Sequence, residues 1–440
     1  MIFMMGTTDN LEKILSILSE EIVPAEGCTE PIALAFAASL VTSIFSGRIA
    51  DRIDVYLSGN MVKNVKSVHI PNSSGKVGIE YAVGMGAILG NANRKMMVIS
   101  EVDTSRLGEV QEFVDRGAVR IFLEKDCPKL YIRLEAECGD DRTVVEIRDF
   151  HTNVTRAELN GKSVIKKGSK SQEGMENLSE KHTDRSFLTI DNICRTAADI
   201  DLALIEPLFD KVIKYNSAIA NEGLTNTYGI AIGKTIMEWM EDGVYGFGLK
   251  NSIASFTAAG SDARMNGCPL PVMTTSGSGN QGMTCSLPII KFCEVKGLSR
   301  DTLIRSLFVS HMITIHIKEV IGRLSAYCGA MAASAGASGA MAFADGMTVE
   351  QVKMAVETTL ATISGVICDG AKSSCATKIA TGISMAVDAY YSARKGRSFN
   401  FGEGIVGSNI ESTITHVGTL GCDGMYTTDE VILHIMMEND

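Results

Sequence analysis

A stretch of very small side chains, AYCGAMAASAGASGAMAFA at residues 326–344, decides the fold class of this chain. The stretch contains no charged residue and no Leu, Ile or Val. Small side chains let helix backbones approach closely, because the distance between helix axes depends on the residues at the contact. Residues 377–393 are similar, and helical signals dominate from Phe187 onward. The sequence therefore predicts a compact helical core in this half of the chain.

The hydrophobic period changes upstream of this core. Ile53, Val55 and Leu57 alternate along the chain, as expected for a half-buried strand. Similar patterns predict further strands at residues 96–102, 118–123, 130–136 and 143–150, with helices at 78–89 and 107–116. We therefore expect an α+β protein in which a mostly helical domain carries an inserted α/β domain.

Two helices are predicted ahead of the α/β domain. Apolar residues recur at helical spacing from Leu11 to Ile22, and the pattern breaks at residues 23–28. Thr29 is a predicted N-cap, because an acid and a proline follow it in the first turn.

These patterns divide the chain into three parts. We expect residues 1–49 to pack on the helical domain, residues 50–186 to form the α/β domain and residues 187–440 to form the helical domain. Residues 166–186 are polar and charged, so we expect an exposed excursion there.

Composition excludes several classes of protein. The 440 residues include 41 Lys+Arg and 52 Asp+Glu, and the resulting net charge of −11 disfavours binding to nucleic acid. No stretch reaches the roughly 20 strongly apolar residues of a membrane span. The 11 cysteines are odd in number and scattered, unlike a disulfide framework. We expect a cytoplasmic, reduced protein whose cysteines are free thiols or metal ligands.

Cys28, in the segment EGCTEP at residues 26–31, lies just before a predicted helix. The positive end of a helix dipole favours a thiolate, and a thiolate is a useful base at neutral pH. A buried, inert cysteine in a turn is an equally good interpretation of the same pattern.

The segment SGSGNQG at residues 276–282 formally matches the G-x-G-x-x-G dinucleotide motif. Prolines at 269 and 271 precede it and the downstream chain is helical, so the βαβ unit that this motif requires is not predicted. A loop rich in N–H and hydroxyl donors could still hold a carboxylate or a phosphate. An ordinary tight loop is the alternative.

Cys328, Cys368 and Cys375 form the third candidate site. Helical patterns end near Val366 and resume near Ala376, so Cys368 and Cys375 flank one predicted loop, with Cys375 at a helix N-terminus. The spacing is not C-x-x-C and no His lies nearby, which disfavours zinc. Three thiolates could hold an iron–sulfur cluster with one iron left open. On spacing alone, buried core cysteines are the better interpretation.

Five segments together resemble a known family. They are EGCTEP (26–31), LSGNMVKN (57–64), SGSGNQG (276–282), AYCGA (326–330) and CDGAKSSCATKI (368–379). The chain resembles, over nearly its whole length, the iron–sulfur L-cysteine desulfidase family. That family is related to the alpha chain of iron–sulfur L-serine dehydratase and includes bacterial members of uncharacterised function.

The resemblance implies a site and a reaction. It implies a [4Fe–4S] cluster held by Cys328, Cys368 and Cys375 in the helical domain, and a catalytic base at Cys28. The implied reaction converts L-cysteine to pyruvate, ammonia and hydrogen sulfide without pyridoxal phosphate. A small amino acid is then the binding partner, and a homodimer is the default assembly. From their location, Thr29, Ser276, Ser278 and Asn280 are expected to donate hydrogen bonds to the substrate carboxylate.

Three alternatives remain open at this point. The substrate could be L-serine, because hydroxyl and thiol substrates differ mainly in the leaving group. A pyridoxal phosphate enzyme could use Lys372 for the Schiff base and residues 276–282 for the phosphate. A non-catalytic amino-acid sensor could have kept the fold.

Overall fold

The computed structural model describes residues 2–165 and 182–438. These residues form a helical bulk and one six-stranded sheet, which confirms the predicted α+β fold. Most of the predicted polar excursion, residues 166–181, lies outside the described residues. Residues 182–186 form neither helix nor strand.

The elements follow one another in an order that separates the sheet from most of the helices. The helices are α1 (Ile2–Glu21), α2 (Thr29–Ile44), α3 (Gly59–Val65), α4 (Ile79–Leu89), α5 (Leu107–Asp115), α6 (Ile190–Asp199), α7 (Glu206–Thr225), α8 (Ile232–Glu241), α9 (Leu249–Met265), α10 (Gly279–Lys296), α11 (Arg300–Ile321), α12 (Gly329–Ala344), α13 (Val349–Ile363), α14 (Ser374–Arg394), α15 (Ile410–Thr419) and α16 (Tyr426–Glu438). The strands are β1 (Pro24–Ala25), β2 (Arg52–Leu57), β3 (Val119–Leu123), β4 (Tyr131–Cys138), β5 (Asp141–Arg148), β6 (Val154–Leu159), β7 (Lys162–Ser163) and β8 (Val272–Met273).

The large sheet has the strand order β3-β2-β4-β5-β6-β7. Only β2 and β3 pair in parallel, because α3, α4 and α5 connect them, and the other neighbours are antiparallel. Helix α2 packs on α4 and against β4 and β5, so it covers the sheet. The contact with α4 is close because Gly86 has no side chain, and a Cβ there would lie 2.1 Å from the Ala35 carbonyl oxygen.

The N-terminal helices belong to different cores, which corrects the expectation that both pack on the helical domain. Buried residues of α1 join the core of the helical part, together with α6 and α11. Buried residues of α2 instead join the core of the sheet. Almost every residue of α2 is buried, so its position is fixed by packing on all sides.

The helical part is organised around α12, the helix of the small-residue stretch. This helix packs against α10, α11, α13 and α14, and a second buried helix, α9, packs against α7, α8, α10 and α14. Fourteen of the 16 residues of α12 are buried, although few of them have large side chains. The predicted close packing of small-residue helices is therefore present.

Local predictions differ from the structure in three places. Residues 96–102 were expected to form a strand, but a 3₁₀ helix at Ala92–Met97 and turns occupy this segment. Its apolar residues enter the core of the sheet from a loop, without a partner strand. The cap of α2 is Cys28 and not Thr29, and Cys28 makes no side-chain cap bond. The short strands β6 and β7 were not predicted from the sequence.

No helix among residues 2–165 and 182–438 is long and apolar enough to cross a membrane.

We predict that Gly336→Ala lowers the free energy of unfolding. A Cβ at Gly336 would lie 2.2 Å from Thr314 Oγ1 and 2.6 Å from the Ser310 carbonyl oxygen of α11. The clash should cost about 1–3 kcal/mol and outweigh the helix propensity that alanine adds. Urea unfolding followed by circular dichroism measures the change.

Gly108→Ala is the matched control, because Gly108 is an exposed residue of α5 and nothing lies within 4 Å of its Cβ position. This variant should be neutral or gain up to about 1 kcal/mol. Equal stability of the two alanine variants would contradict the packing argument.

Candidate active site

A two-stranded sheet brings the first two sequence motifs together. Strand β1 pairs antiparallel with β8, so Pro24 lies opposite Met273. Thr274 extends the pairing, because its N–H and its Oγ1 both donate to the Val23 carbonyl oxygen, at 2.9 and 3.0 Å. Residues 26–31 and 276–282, which follow these strands, are therefore held side by side.

The Gly-rich segment forms a tight turn before α10. Thr275 and Ser278 exchange two backbone hydrogen bonds of 3.1 Å, and the two residues between them have positive φ angles, 49° at Ser276 and 76° at Gly277. These angles define a type I′ turn, in which a side chain at Ser276 is strained. The segment is not part of a βαβ unit, so the nucleotide interpretation is not supported.

Cys28 is fully buried at the start of α2. Its thiol lies 4.0 Å from Met265 Sδ, at the end of α9. The next residues form a polar cluster, in which Thr29 Oγ1 and Asn64 Nδ2 donate to the Glu30 carboxylate at 3.0 and 3.1 Å. His151 Nε2 lies 3.8 Å from the same carboxylate. The hydrogen bonds and the charge of His151 outweigh burial and hold the pKa of Glu30 below its usual value.

The segments that carry Cys328 and Cys368 lie side by side. The Cys328 N–H donates to the Val366 carbonyl oxygen at 3.1 Å, and the Cys368 N–H donates to the Ala326 carbonyl oxygen at 2.6 Å. Cys375 is the second residue of α14, and its Sγ accepts a hydrogen bond from the Lys372 N–H at 3.5 Å. The three thiols are near enough that their charges act on one another.

One cavity is lined by all eight residues that were expected to bind the cluster or the substrate or to act as the base. These residues are Cys28, Thr29, Ser276, Ser278, Asn280, Cys328, Cys368 and Cys375. Helices α2, α10, α12 and α14 all begin at this cavity, so their positive dipole ends converge on it. Such a cavity favours negatively charged occupants. The chemical roles of the eight residues stay predictions.

The expected carboxylate donors are not equivalent. Ser278 Oγ caps α10 by accepting from the Gln281 N–H, and Thr29 Oγ1 donates to Glu30. Asn280 is bonded to Ser261 and to Met265. Ser276 Oγ is buried without a hydrogen-bond partner among the described residues. Ser276 is therefore the best placed of the four to bind a ligand.

Burial changes the predicted state of the thiols. It raises the pKa of Cys28 and of Cys328 to about 12, and that of Cys375 to about 11. Burial thus outweighs the helix N-termini, so the expectation that they lower the pKa values of Cys28 and Cys375 is wrong. A helix dipole contributes at most about 2 kcal/mol, whereas full burial costs up to 3–5 pKa units, roughly 4–7 kcal/mol.

Sequence reasoning missed the charged residues of the cavity. Arg264, Lys318 and Arg323 line it, and burial lowers the pKa of Lys318 to about 8. Glu30 and Asn64 lie in two of the family-like segments, residues 26–31 and 57–64. Arg264 and His151 lie in segments with no recognisable motif. Only the folded chain brings these residues to one place.

A buried ion pair fixes both cluster segments. Lys63 of α3 is 1% exposed, and its Nζ donates to Asp429 Oδ1 at 2.6 Å and to the Cys368 carbonyl oxygen at 3.2 Å. Asp429 Oδ2 accepts from the Ala326 N–H at 3.1 Å. Gly370 packs so closely that a Cβ would lie 2.5 Å from the Lys63 carbonyl oxygen. This pair connects α3 and α16 to the loops of Cys328 and Cys368.

The donor set fits a cluster better than a single ion. In the part of the chain that the structure describes, no three His, Cys, Asp or Glu side chains are placed to hold one metal ion. A cluster makes a different demand, because each cysteine binds a different iron and the sulfur atoms therefore lie farther apart. The chemistry of this donor set fits a cluster, because three thiols line one cavity beside Lys318 and metal binding stabilises thiolates.

Lys372, the alternative Schiff-base residue, does not line the cavity. Its Nζ is buried without a hydrogen-bond partner among the described residues, behind Cys28 and Cys375.

Comparison with known proteins agrees with this geometry. A family model described as the serine dehydratase alpha chain matches residues 133–434, which include the type I′ turn and the three neighbouring cysteines. The chain belongs to the serine dehydratase alpha-chain family. The family implies a dehydratase-type lyase that acts on an amino acid and uses an iron–sulfur cofactor.

Members of the UPF0597 group extend the match to Cys28, which precedes the matched range of the serine dehydratase alpha-chain family. A UPF0597 protein of Fusobacterium nucleatum is 51% identical over 426 residues, which cover 97% of this chain and 99% of the relative. Relatives with the same description from Lachnoclostridium phytofermentans and Treponema denticola are 40% and 38% identical, each over 97% of this chain and 99% and 98% of their own. Their descriptions give no substrate.

We predict that Glu26→Gln removes part of the pH dependence of stability. Burial raises the pKa of Glu26 from 4.5 to about 8, against the hydrogen bond from Asn72. The folded chain therefore binds a proton that the unfolded chain releases, and stability falls as the pH rises from 5 to 8. The variant should gain about 1 kcal/mol per pH unit relative to wild type across this range.

Urea unfolding at four pH values measures this difference. Glu112→Gln, at an exposed position of α5, is the control and should follow the wild-type profile. A constant difference between Glu26→Gln and wild type would show that Glu26 is ionised in the folded protein.

Proposed function

We propose that this protein catalyses the β-elimination of a small L-amino acid, with L-cysteine giving pyruvate, ammonia and hydrogen sulfide. The observation that supports this most is that Cys328, Cys368 and Cys375 line the same buried cavity as Cys28. Family membership supports lyase chemistry on an amino acid. L-Serine, giving pyruvate and ammonia, is the second candidate, because the family is named for it.

Cys328, Cys368 and Cys375 would hold a [4Fe–4S] cluster, and pyridoxal phosphate would not be needed. When bound, the cluster supplies a Lewis-acidic iron without a cysteine ligand, next to the substrate. Two features of the chain favour such a group. The cavity is buried, and the positive charge of Lys318 acts on Cys328 and Cys368.

Cys28 would accept the proton from the substrate Cα. The Cα–H electrons then form the Cα–Cβ double bond, and the Cβ–S bond breaks to release sulfide. Hydrolysis of the resulting aminoacrylate with one water gives pyruvate and ammonia. A thiol with a pKa of about 12 is a strong base once ionised, but little of it is ionised at neutral pH. Arg264 is the nearby cation that favours its ionised form.

Anaerobic reconstitution with iron and sulfide, followed by assays of pyruvate and sulfide release, tests the proposal. We expect release of both products from L-cysteine, and borohydride treatment should not inactivate the enzyme. Pyruvate from L-serine alone would establish the second candidate. Binding without product from any amino acid would favour the sensor. The homodimer stays a prediction for a separate measurement of mass in solution.

We predict that Cys368→Ala loses iron. Removing one of three thiolates leaves a cluster with two protein ligands, so iron and acid-labile sulfide should fall to background after reconstitution. Cys293→Ala is the control, because it also removes one thiol but Cys293 lies within α10 in the hydrophobic core, away from the cavity lining. Unchanged iron in Cys368→Ala would refute the ligand assignment.

We predict that Cys28→Ser keeps the cluster and loses turnover. Serine has nearly the same shape, but its hydroxyl has a far higher pKa and is a poor base at neutral pH. Activity should fall by at least about 100-fold, the usual contribution of a general base, while iron content stays at the wild-type value. Full activity in this variant would remove Cys28 from the mechanism.

A further inference from the structure

One buried charge in the candidate active-site cavity has no partner among the residues that the structure describes. Arg264 is 3% exposed and lines the cavity from the end of α9. Its Nε is buried, and no carboxylate or carbonyl of residues 2–165 and 182–438 bonds to its guanidinium. A buried charge without a partner is strongly destabilising, so a buried arginine in this position is expected to bind an anion.

The other Lys and Arg side chains that line the cavity, Lys318 and Arg323, have partners in the described chain. Arg323 NH2 donates to Glu21 Oε1 at 2.5 Å, and its guanidinium stacks on the Phe150 ring with the centroid at 4.0 Å. Lys63 pairs with Asp429, and Lys318 Nζ reaches the Arg323 carbonyl oxygen at 3.5 Å. Arg264 is therefore the cation of this cavity that lacks a partner in the described chain.

The surroundings of Arg264 suit a carboxylate. Its guanidinium lies at the start of α10, where a Cβ on Gly279 would be 2.4 Å from Nε. The first N–H groups of a helix have no partner within the helix and attract anions. Ser276 Oγ, buried and without a partner among the described residues, belongs to the turn that leads into α10. The Arg264 guanidinium, the first backbone N–H groups of α10 and the Ser276 hydroxyl are thus hydrogen-bond donors in one region of the cavity.

We infer that Arg264 binds the α-carboxylate of the substrate, with the N-terminus of α10 and Ser276. The inference rests on the proposed function for the substrate being an α-amino acid. Met265, the next residue, contacts Cys28 at 4.0 Å between the sulfur atoms. A carboxylate on Arg264 therefore brings the neighbouring Cα towards Cys28. The site selects free α-amino acids over amines and esters.

Binding of L-alanine and ethylamine to the reconstituted holoenzyme tests this directly. L-Alanine has no leaving group, so it binds without turnover, and ethylamine is the same molecule without the carboxylate. By isothermal titration calorimetry, wild type should bind L-alanine and not ethylamine. Arg264→Gln should weaken L-alanine binding by at least about tenfold, as expected for a charged hydrogen bond. Its iron content should stay at the wild-type value.

Two further variants complete the design. Arg264→Lys keeps the charge but loses the bidentate geometry, so it should bind more weakly than wild type and more tightly than Arg264→Gln. It keeps the test valid if Arg264→Gln does not fold. Arg195→Gln changes an exposed arginine of α6 and should bind like wild type.

The outcomes separate this inference from the proposed function. Equal L-alanine affinity in wild type and both Arg264 variants overturns it, as does an absence of L-alanine binding by wild type. Loss of iron in both Arg264 variants also overturns it, because Arg264 would then be the counter-charge of the cluster. L-Alanine binding that depends on Arg264, without turnover of any amino acid, supports the carboxylate site and refutes the proposed lyase activity.

Discussion

The buried pair of Lys63 and Asp429 is the interaction on which the geometry of the cavity depends. Each charge has a second task, because Lys63 also bonds the Cys368 carbonyl oxygen and Asp429 also bonds the Ala326 N–H. A buried pair of this kind adds little net stability compared with apolar side chains. Its role here is to fix positions, because it holds the loops of Cys328 and Cys368 against α3 of the α/β part. The two parts of the chain therefore share one site.

Desolvation governs the chemistry of that site. Burial raises the pKa values of the Cys28, Cys328 and Cys375 thiols, despite the converging helix N-termini. The same burial strengthens any charge interaction that an occupant makes, because the local dielectric is low. The cavity thus combines protonated thiols at three of its cysteines with the cations Arg264, Lys318 and Arg323. The thiolate ligands of a cluster and a substrate carboxylate are anions that these positive charges would stabilise.

Local patterns in the sequence predicted the fold class, and the family resemblance carried by its motifs predicted eight of the residues that line the cavity. Small residues at 326–344 specify close helix packing, and the cysteine segments specify loop ends next to helices. The sequence did not predict that α2 joins the core of the sheet, since α2 is apolar on all sides and periodicity gives no preferred partner. Arg264 and His151 were missed because their positions depend on long-range contacts such as the pairing of β1 with β8. The pKa values of the thiols were missed because burial is a property of the folded chain.

The position of Asp429 in the chain also bears on how the protein matures. Asp429 follows all four cavity cysteines in the sequence, and synthesis proceeds from the N-terminus. While the chain is still being made, the loops of Cys328 and Cys368 exist before the carboxylate that braces them. A cofactor that arrived before α16 was synthesised would encounter thiols whose loops are not yet held in place by Asp429. Insertion of the cofactor is therefore expected to be a late, post-translational event that waits for α16 to dock.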